Sequence, residues 1–288
     1  MKKNTLCKIL TLSLIASLSS ATFAELAPPT SPQISVQLWS IKEAVSNDFE
    51  GTLKQLATMG FKGVEFAGNF GKYENDAAGL KKFLDTVGLK ASGAHVSFDK
   101  FTPENFDKTV AFYKAINCQY LIIPLDKRAE TIEGAKIVAQ ELTALEEKLK
   151  PLGLHTGYHN HKFEMVDQEG TTTWDIIAKN TPSSVALEQD VAWTEAAQKN
   201  PVDIVKKYPG RTIATHYKAV APGQNSTENA IIGKDTTDWK SLIKANKNYG
   251  GTQWLVIEQE VYPDGMTPLQ SVEASLKGLQ TILSSTKK

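Results

Sequence analysis

Short apolar or β-branched runs alternate along most of the chain with stretches of helical spacing. The runs begin near Ile34, Gly63, Lys90, Tyr120, Leu154, Val185, Thr212 and Gln253, which makes eight candidate strands. Between them, Leu53, Leu56 and Ala57 followed by Gly60 give a helical apolar face with a C-terminal stop, and Phe83, Leu84 and Val87 before Gly88 repeat the pattern. Ile137, Leu142, Leu145 and Leu149 form a longer version before Pro151. Proline in a first turn marks helix starts at Thr102-Pro103-Glu104, Asn200-Pro201 and Thr267-Pro268. Strands separated by helices at a spacing of roughly 30 residues predict parallel βαβ units with right-handed crossovers. Gln37-Leu38-Trp39-Ser40 follows the first strand where a dinucleotide-binding sheet would carry a Gly-rich loop, so the prediction is closure into a single (β/α)8 TIM barrel.

The first 24 residues follow another pattern. Lys2, Lys3 and Lys8 precede or enter an apolar run, Ile9 to Leu18, and small residues Ser19 to Ala24 come after it. This order predicts a signal peptide cleaved after Ala24, hence a periplasmic or secreted protein. The apolar run is shorter than the roughly 20 residues a membrane span needs, so no membrane anchor is expected after processing. Residues 25–32 are a Pro-rich lead-in, and 33–288 are assigned to the barrel. Removing 24 of 288 residues leaves 264, close to the roughly 250 typical of such barrels. It also removes three lysines from a chain of balanced charge, leaving a formal charge of −3, which argues against a nucleic-acid partner. Cys118 is then the remaining cysteine, so no intramolecular disulfide is expected.

In a TIM barrel, chemistry sits at the C-terminal ends of the strands. Those ends carry Gln37 and Trp39, Glu65, His95, then His159 and His161 with Glu164 just beyond. The sixth strand ends in Glu188-Gln189-Asp190 with Trp193 following, the seventh in His216-Tyr217-Lys218, and the eighth in Glu258-Gln259-Glu260. Four of the five histidines fall at these ends; His155, at the start of its strand, reads as structural. Imidazoles and carboxylates converging from separate strands are costly unpaired, and one divalent metal ion satisfies such a set. Mixed nitrogen and oxygen donors suit manganese, zinc, cobalt or iron better than calcium, with magnesium retained as a candidate. Gln37, Trp39, Glu65, His161, Glu164 and Trp193 are the candidates for substrate contact. Plainer roles stand beside these: His95 capping a core hydrogen-bond network, His161 and Glu164 closing a loop, and Trp39, Phe66, Phe98 and Trp193 finishing the core. Of Glu258 and Glu260, one alone is expected to point into the barrel mouth.

Gly157-Tyr158-His159-Asn160-His161 with Phe163-Glu164, Asp190-Val191-Ala192-Trp193, Pro209-Gly210-Arg211 leading to His216-Tyr217-Lys218, and Val256-Ile257-Glu258-Gln259-Glu260 occur in this order. Together they resemble the xylose isomerase-like barrels often labelled sugar phosphate isomerases/epimerases, over nearly all of the mature chain. The resemblance implies a divalent metal held by Glu, Asp, His and Glu from strands five to eight. Asp190, His216 and Glu258 match the last three, while His159 stands where the first glutamate would be. Ala219 also departs, standing where the resemblance leads one to expect Asp. The implied activity is proton transfer next to a carbonyl on a sugar or polyol, an isomerisation or epimerisation. In it Glu258 acts as base or ligand, His159 or His95 carries the second proton step, and Lys218 supports the developing oxyanion. Export points to a non-phosphorylated substrate. Three alternatives are a keto-glycoside lyase or hydrolase on the same barrel, a non-catalytic sugar-binding barrel, and a multi-metal endonuclease; the negative charge disfavours the last. Oligomerisation is left open.

Overall fold

The computed structural model describes residues 31–223 and 230–285. The leader and its cleavage site after Ala24 lie outside the described residues. The strands Gln33–Gln37 (β1), Gly63–Phe66 (β2), Lys90–His95 (β3), Tyr120–Ile123 (β4), His155–His159 (β5), Ala186–Asp190 (β6), Ala214–Tyr217 (β7) and Trp254–Ile257 (β8) each pair in parallel with the next. β8 returns to pair with β1, Gln33 opposite Trp254 and Val36 opposite Ile257, and so closes a barrel. Every strand starts within two residues of the position its sequence predicts.

Helices Phe49–Met59 (α1), Ala77–Val87 (α2), Phe106–Ala115 (α3), Ile132–Leu149 (α4), Thr173–Lys179 (α5), Pro201–Lys207 (α6), Trp239–Ala245 (α7) and Pro268–Ser285 (α8) cover the outside. Their ends follow from local chemistry. The Asp48 and Asp76 carboxylates accept from the Gly51 and Gly79 amides at 2.9 and 2.8 Å, satisfying donors that have no partner inside the helix. Gly60 and Gly88 end α1 and α2 in the left-handed conformation that glycine adopts without penalty. Leu53, Leu56, Leu80, Leu84, Leu142, Leu149 and Leu276 pack between helices and sheet. Two sequence expectations shift. Ile137 lies on the exposed side of α4, whose buried stripe instead includes Val138 and Leu142. Pro103 belongs to a turn closed by the Thr102 carbonyl, and α3 begins three residues later, at Phe106. No helix among the described residues is long and apolar enough to cross a membrane.

Inside the barrel the two-residue period of a strand writes itself as layers. Ser35, Gly63, Gly93, Gly157, Ala186 and Ala214 each stand two residues before Gln37, Glu65, His95, His159, Glu188 and His216. The small layer leaves room for a few bulky neighbours. A Cβ on Gly63 would lie 2.9 Å from the Trp254 indole, and one on Gly157 would lie 2.6 Å from Ile122 Cδ1 and 2.7 Å from the Ala186 carbonyl oxygen. The polar layer above it is thereby carried on a packed floor. A register shift between Val64 and Glu65 breaks the β2–β3 ladder just where Glu65 turns inward. Gly157→Ala is expected to lower stability by roughly 1–3 kcal/mol, because a backbone carbonyl cannot move aside as a side chain can. Urea unfolding of the two proteins measures the difference.

Candidate active site

Glu188, on β6, is the hub of the polar layer. Its Oε2 lies 2.8 Å from His95 Nε2, 3.1 Å from His159 Nδ1 and 3.2 Å from His216 Nε2. His216 also meets Glu65 Oε2 through Nε2 and Glu258 Oε2 through Nδ1, both at 2.6 Å. The Gln37 amide donates to Glu65 at 2.8 Å. Lys218 Nζ lies 2.8 Å from Asp190 Oδ2, 3.1 Å from Glu258 Oε2 and 2.7 Å from Glu260 Oε1. Glu258 and Glu260 therefore both face the mouth, contrary to the expectation that one would turn away; positions two apart in extended chain share a side.

Burial and mutual charge set the protonation of this layer. Three carboxylates outweigh burial at His216 and hold its proton on well above the usual imidazole range. Burial, reinforced by charged His216, pushes His159 well below that range, so its ring is neutral. Burial and Lys218 lower His161 to about 4. Burial, with Glu188 beside it, raises Glu65 to about 6, and burial raises Asp190 to about 6 against the pull of Lys218. Glu258 goes the other way: Lys218 and His216 together overcome its burial and keep it well below the carboxylate range.

A cavity of about 710 Å³ opens over this layer. Its inner end is faced by His95, His159, His161, Glu258 and Glu260, and Trp39 stands on its rim. The other candidates lie behind that wall. Gln37 and Glu65 brace His216; Lys218 is buried against its three carboxylates. Glu164 accepts from the Tyr158 hydroxyl at 3.0 Å and the His161 amide at 2.9 Å, fixing the turn that carries His161. Trp193 packs against the His161 ring, 5.7 Å between centroids, with Lys218 Nζ 5.5 Å from its own ring. His155 pairs with Glu146 at 2.8 Å at the opposite end of β5, away from the site.

No protein-family model matches the chain. An inosose dehydratase from Clostridium botulinum is 26% identical over 276 residues, covering 82% of this chain and 89% of that protein. A solved sugar phosphate isomerase/epimerase from Parabacteroides distasonis is 25% identical, with a TM-score of 0.69, covering 86% of this chain and 97% of its own. The chain is a xylose isomerase-like TIM barrel. The solved IOLI protein, described with a bound zinc atom, shares the fold at 15% identity and a TM-score of 0.65, covering 88% of this chain and 99% of its own. With enzymes as its relatives and an acid–base cavity at its mouth, this xylose isomerase-like barrel is itself an enzyme.

The donor set in this xylose isomerase-like barrel suits a divalent cation. Ligand atoms of His159, Asp190, His216 and Glu258 lie within 4.8 Å of one another, all buried, as do those of His95, His159, Glu188 and His216. Among the described residues, Glu65 Oε1 and Glu188 Oε1 are buried without a hydrogen-bond partner, so the layer has more acceptor oxygens than its donors satisfy. The proton on His216 supplies positive charge at the spot where these carboxylates meet, and an ion requires the same nitrogen deprotonated. Glu188 is absent from the ligands and acid–base groups drawn from the sequence. It was findable: it stands two residues before Asp190 on one face of a strand, and two residues after a small residue, as the other inward groups do. Lys218→Met is expected to destabilise the metal-free protein by roughly 3–5 kcal/mol, because it leaves Asp190 and Glu258 without their ammonium. Unfolding in chelator measures that loss, and added divalent ion is expected to restore it.

Proposed function

We propose that the chain is a divalent-metal-dependent lyase of the dehydratase type acting on a non-phosphorylated keto-sugar or keto-cyclitol. One observation carries the reading: at the inner end of the cavity carboxylates come from the β8 side, Glu258 and Glu260, and imidazoles from β3 and β5, His95, His159 and His161. Elimination needs one base and one acid on a single bound molecule, and this arrangement supplies them from different walls. Glu258 takes the proton from the carbon next to the carbonyl. The bond from the neighbouring carbon to its hydroxyl breaks, and His95, whose Nε2 is held by Glu188 at 2.8 Å, gives the departing oxygen a proton to form water. Release of the abstracted proton from Glu258 to solvent and uptake of one by His95 return both groups to their starting states, while the Glu188 contact keeps the His95 ring in place. A divalent ion on His159, Asp190, His216 and Glu258 would stabilise the negative charge that develops on the carbonyl oxygen. The inosose dehydratases among the relatives support elimination, and the zinc of the IOLI protein makes zinc the first ion to test.

Isomerisation or epimerisation is the second reading, supported by the isomerase/epimerase names of the solved neighbours. It begins with the same proton abstraction and differs in returning the proton to carbon. It is the weaker reading because β5 presents His159 where a second carboxylate would receive or return that proton. Purified protein is expected to contain about one equivalent of divalent ion and to convert inosose to an unsaturated ketone absorbing in the ultraviolet. His159→Ala is expected to lose nearly all turnover together with the metal, and His159→Glu to regain the metal. Protein lacking metal, or turning over inosose equally well in chelator, contradicts the reading. Solvent deuterium appearing in recovered substrate without any unsaturated product would move the assignment to isomerisation.

Export is also part of the proposal, supported by the leader pattern of the first 24 residues. N-terminal sequencing of protein from the periplasm or medium is expected to begin at Glu25; a chain still starting at Met1 contradicts it.

A further inference from the structure

The cavity is longer and more apolar than proton transfer at its inner end requires. Beyond His95 it runs outward over the ends of β2, β3 and β4, and the character of its wall changes. Phe70 and Phe112 meet there edge-on with centroids 4.7 Å apart, and Tyr113 adjoins them. Trp39, past the end of β1, and Leu125, past the end of β4, stand on the rim and are among the large apolar side chains the fold leaves exposed, at 45% and 49%. Exposed apolar groups scattered singly need no explanation, but two flanking the mouth of one cavity that already has an aromatic wall mark a binding surface. The volume of about 710 Å³ lies well within the roughly 300–1,000 Å³ that holds drug-sized ligands, beyond what one polyol ring fills. Lys100 and Lys108 form the polar outer edge of this arm.

We infer that the outer arm is a subsite for an apolar, preferably aromatic, group attached to the sugar ring, so that a glycoside-like molecule is bound in preference to the unsubstituted ring. This rests on the reading of the inner end as the place where the ring is processed. The ring sits against His95, His161 and Glu258, and its substituent lies along Phe112 towards Leu125.

Binding of phenyl β-glucoside and methyl β-glucoside to the metal-supplemented protein, measured by calorimetry, tests the inference without requiring turnover. Phenyl β-glucoside is expected to bind about tenfold more tightly, as burying one aromatic ring implies. Leu125→Ser and Phe112→Ala are each expected to reduce that ratio at least threefold while leaving the methyl compound's affinity unchanged. Leu125 is exposed, so its replacement carries no folding cost even if the Phe112 variant is unstable. Equal affinities, no detectable binding of the phenyl compound, or a ratio untouched by either substitution overturns the subsite. A ratio that holds in protein with no metal and no activity supports the subsite and sinks the lyase reading; turnover with equal affinities sinks the subsite alone.

Discussion

At the centre of the barrel mouth a single imidazole lies among three carboxylates. His216 is within 2.6 Å of both Glu65 and Glu258 and 3.2 Å from Glu188, all of them buried. In such surroundings an unpaired carboxylate costs several kcal/mol, so none of these groups tolerates the loss of its neighbours. The pairing also demands a particular backbone. Glu65 and His216 are 151 positions apart and come from β2 and β7, which are far from adjacent around the barrel. Closure of the sheet brings them into contact, and the floor of glycine, serine and alanine beneath lets their side chains converge without crowding.

Around that centre a second set of bonds fixes the first. The Asn160 side chain accepts the Asp190 amide at 2.9 Å, while Asp190 Oδ1 accepts the Trp193 amide at 2.9 Å. The Ser40 hydroxyl accepts the Gln259 amide at 2.9 Å, and the Tyr262 hydroxyl donates to the Ser40 carbonyl at 2.6 Å, tying the turn after β1 to the one after β8. The Asn160 and Ser40 bonds link neighbouring strand ends and the Asp190–Trp193 bond caps the turn after β6, so the acid–base groups are held by rigid elements on both sides. A site built this way loses little in reorganisation when substrate arrives. Its apolar extension combines Phe112 and Tyr113 of α3 with Trp39, Phe70 and Leu125 from the segments that follow β1, β2 and β4.

The fold was legible because its signal is local. Eight apolar runs and the glycine stops after α1 and α2 are readable from consecutive residues, and they put the strands within two residues of their observed starts. The ring of strand-end histidines and carboxylates was legible for the same reason. Pairing was not. Whether Lys218 points at a substrate or at Asp190, and whether Gln37 touches ligand or braces Glu65, depends on which strands become neighbours and how far each is staggered. Glu188 was passed over because Asp190 ends the same strand and matches the family pattern, though alternation alone sends both inward. Ile137 misled for a related reason: a helix broad enough to bury Val138 and Leu142 must turn some apolar residue outward.

The departure at β5 gains a physical account from Glu188. The family resemblance drawn from the sequence implies a glutamate where His159 stands, and a histidine there contributes one negative charge fewer to the donor set. Two carboxylates and two imidazoles balance a divalent ion's charge, whereas three carboxylates exceed it, so the ion on this set would be the more electrophilic. A carboxylate is nevertheless present one layer further back. Glu188 Oε2 accepts from His159 Nδ1 at 3.1 Å, which fixes the ring's tautomer and leaves Nε2 as the nitrogen with a free lone pair. Because Glu188 also holds His95 at 2.8 Å, the group that orients the β5 donor also orients the imidazole assigned as the acid. One carboxylate thus aligns two imidazoles that face the cavity, and rings held in this way keep a fixed nitrogen turned towards whatever binds there.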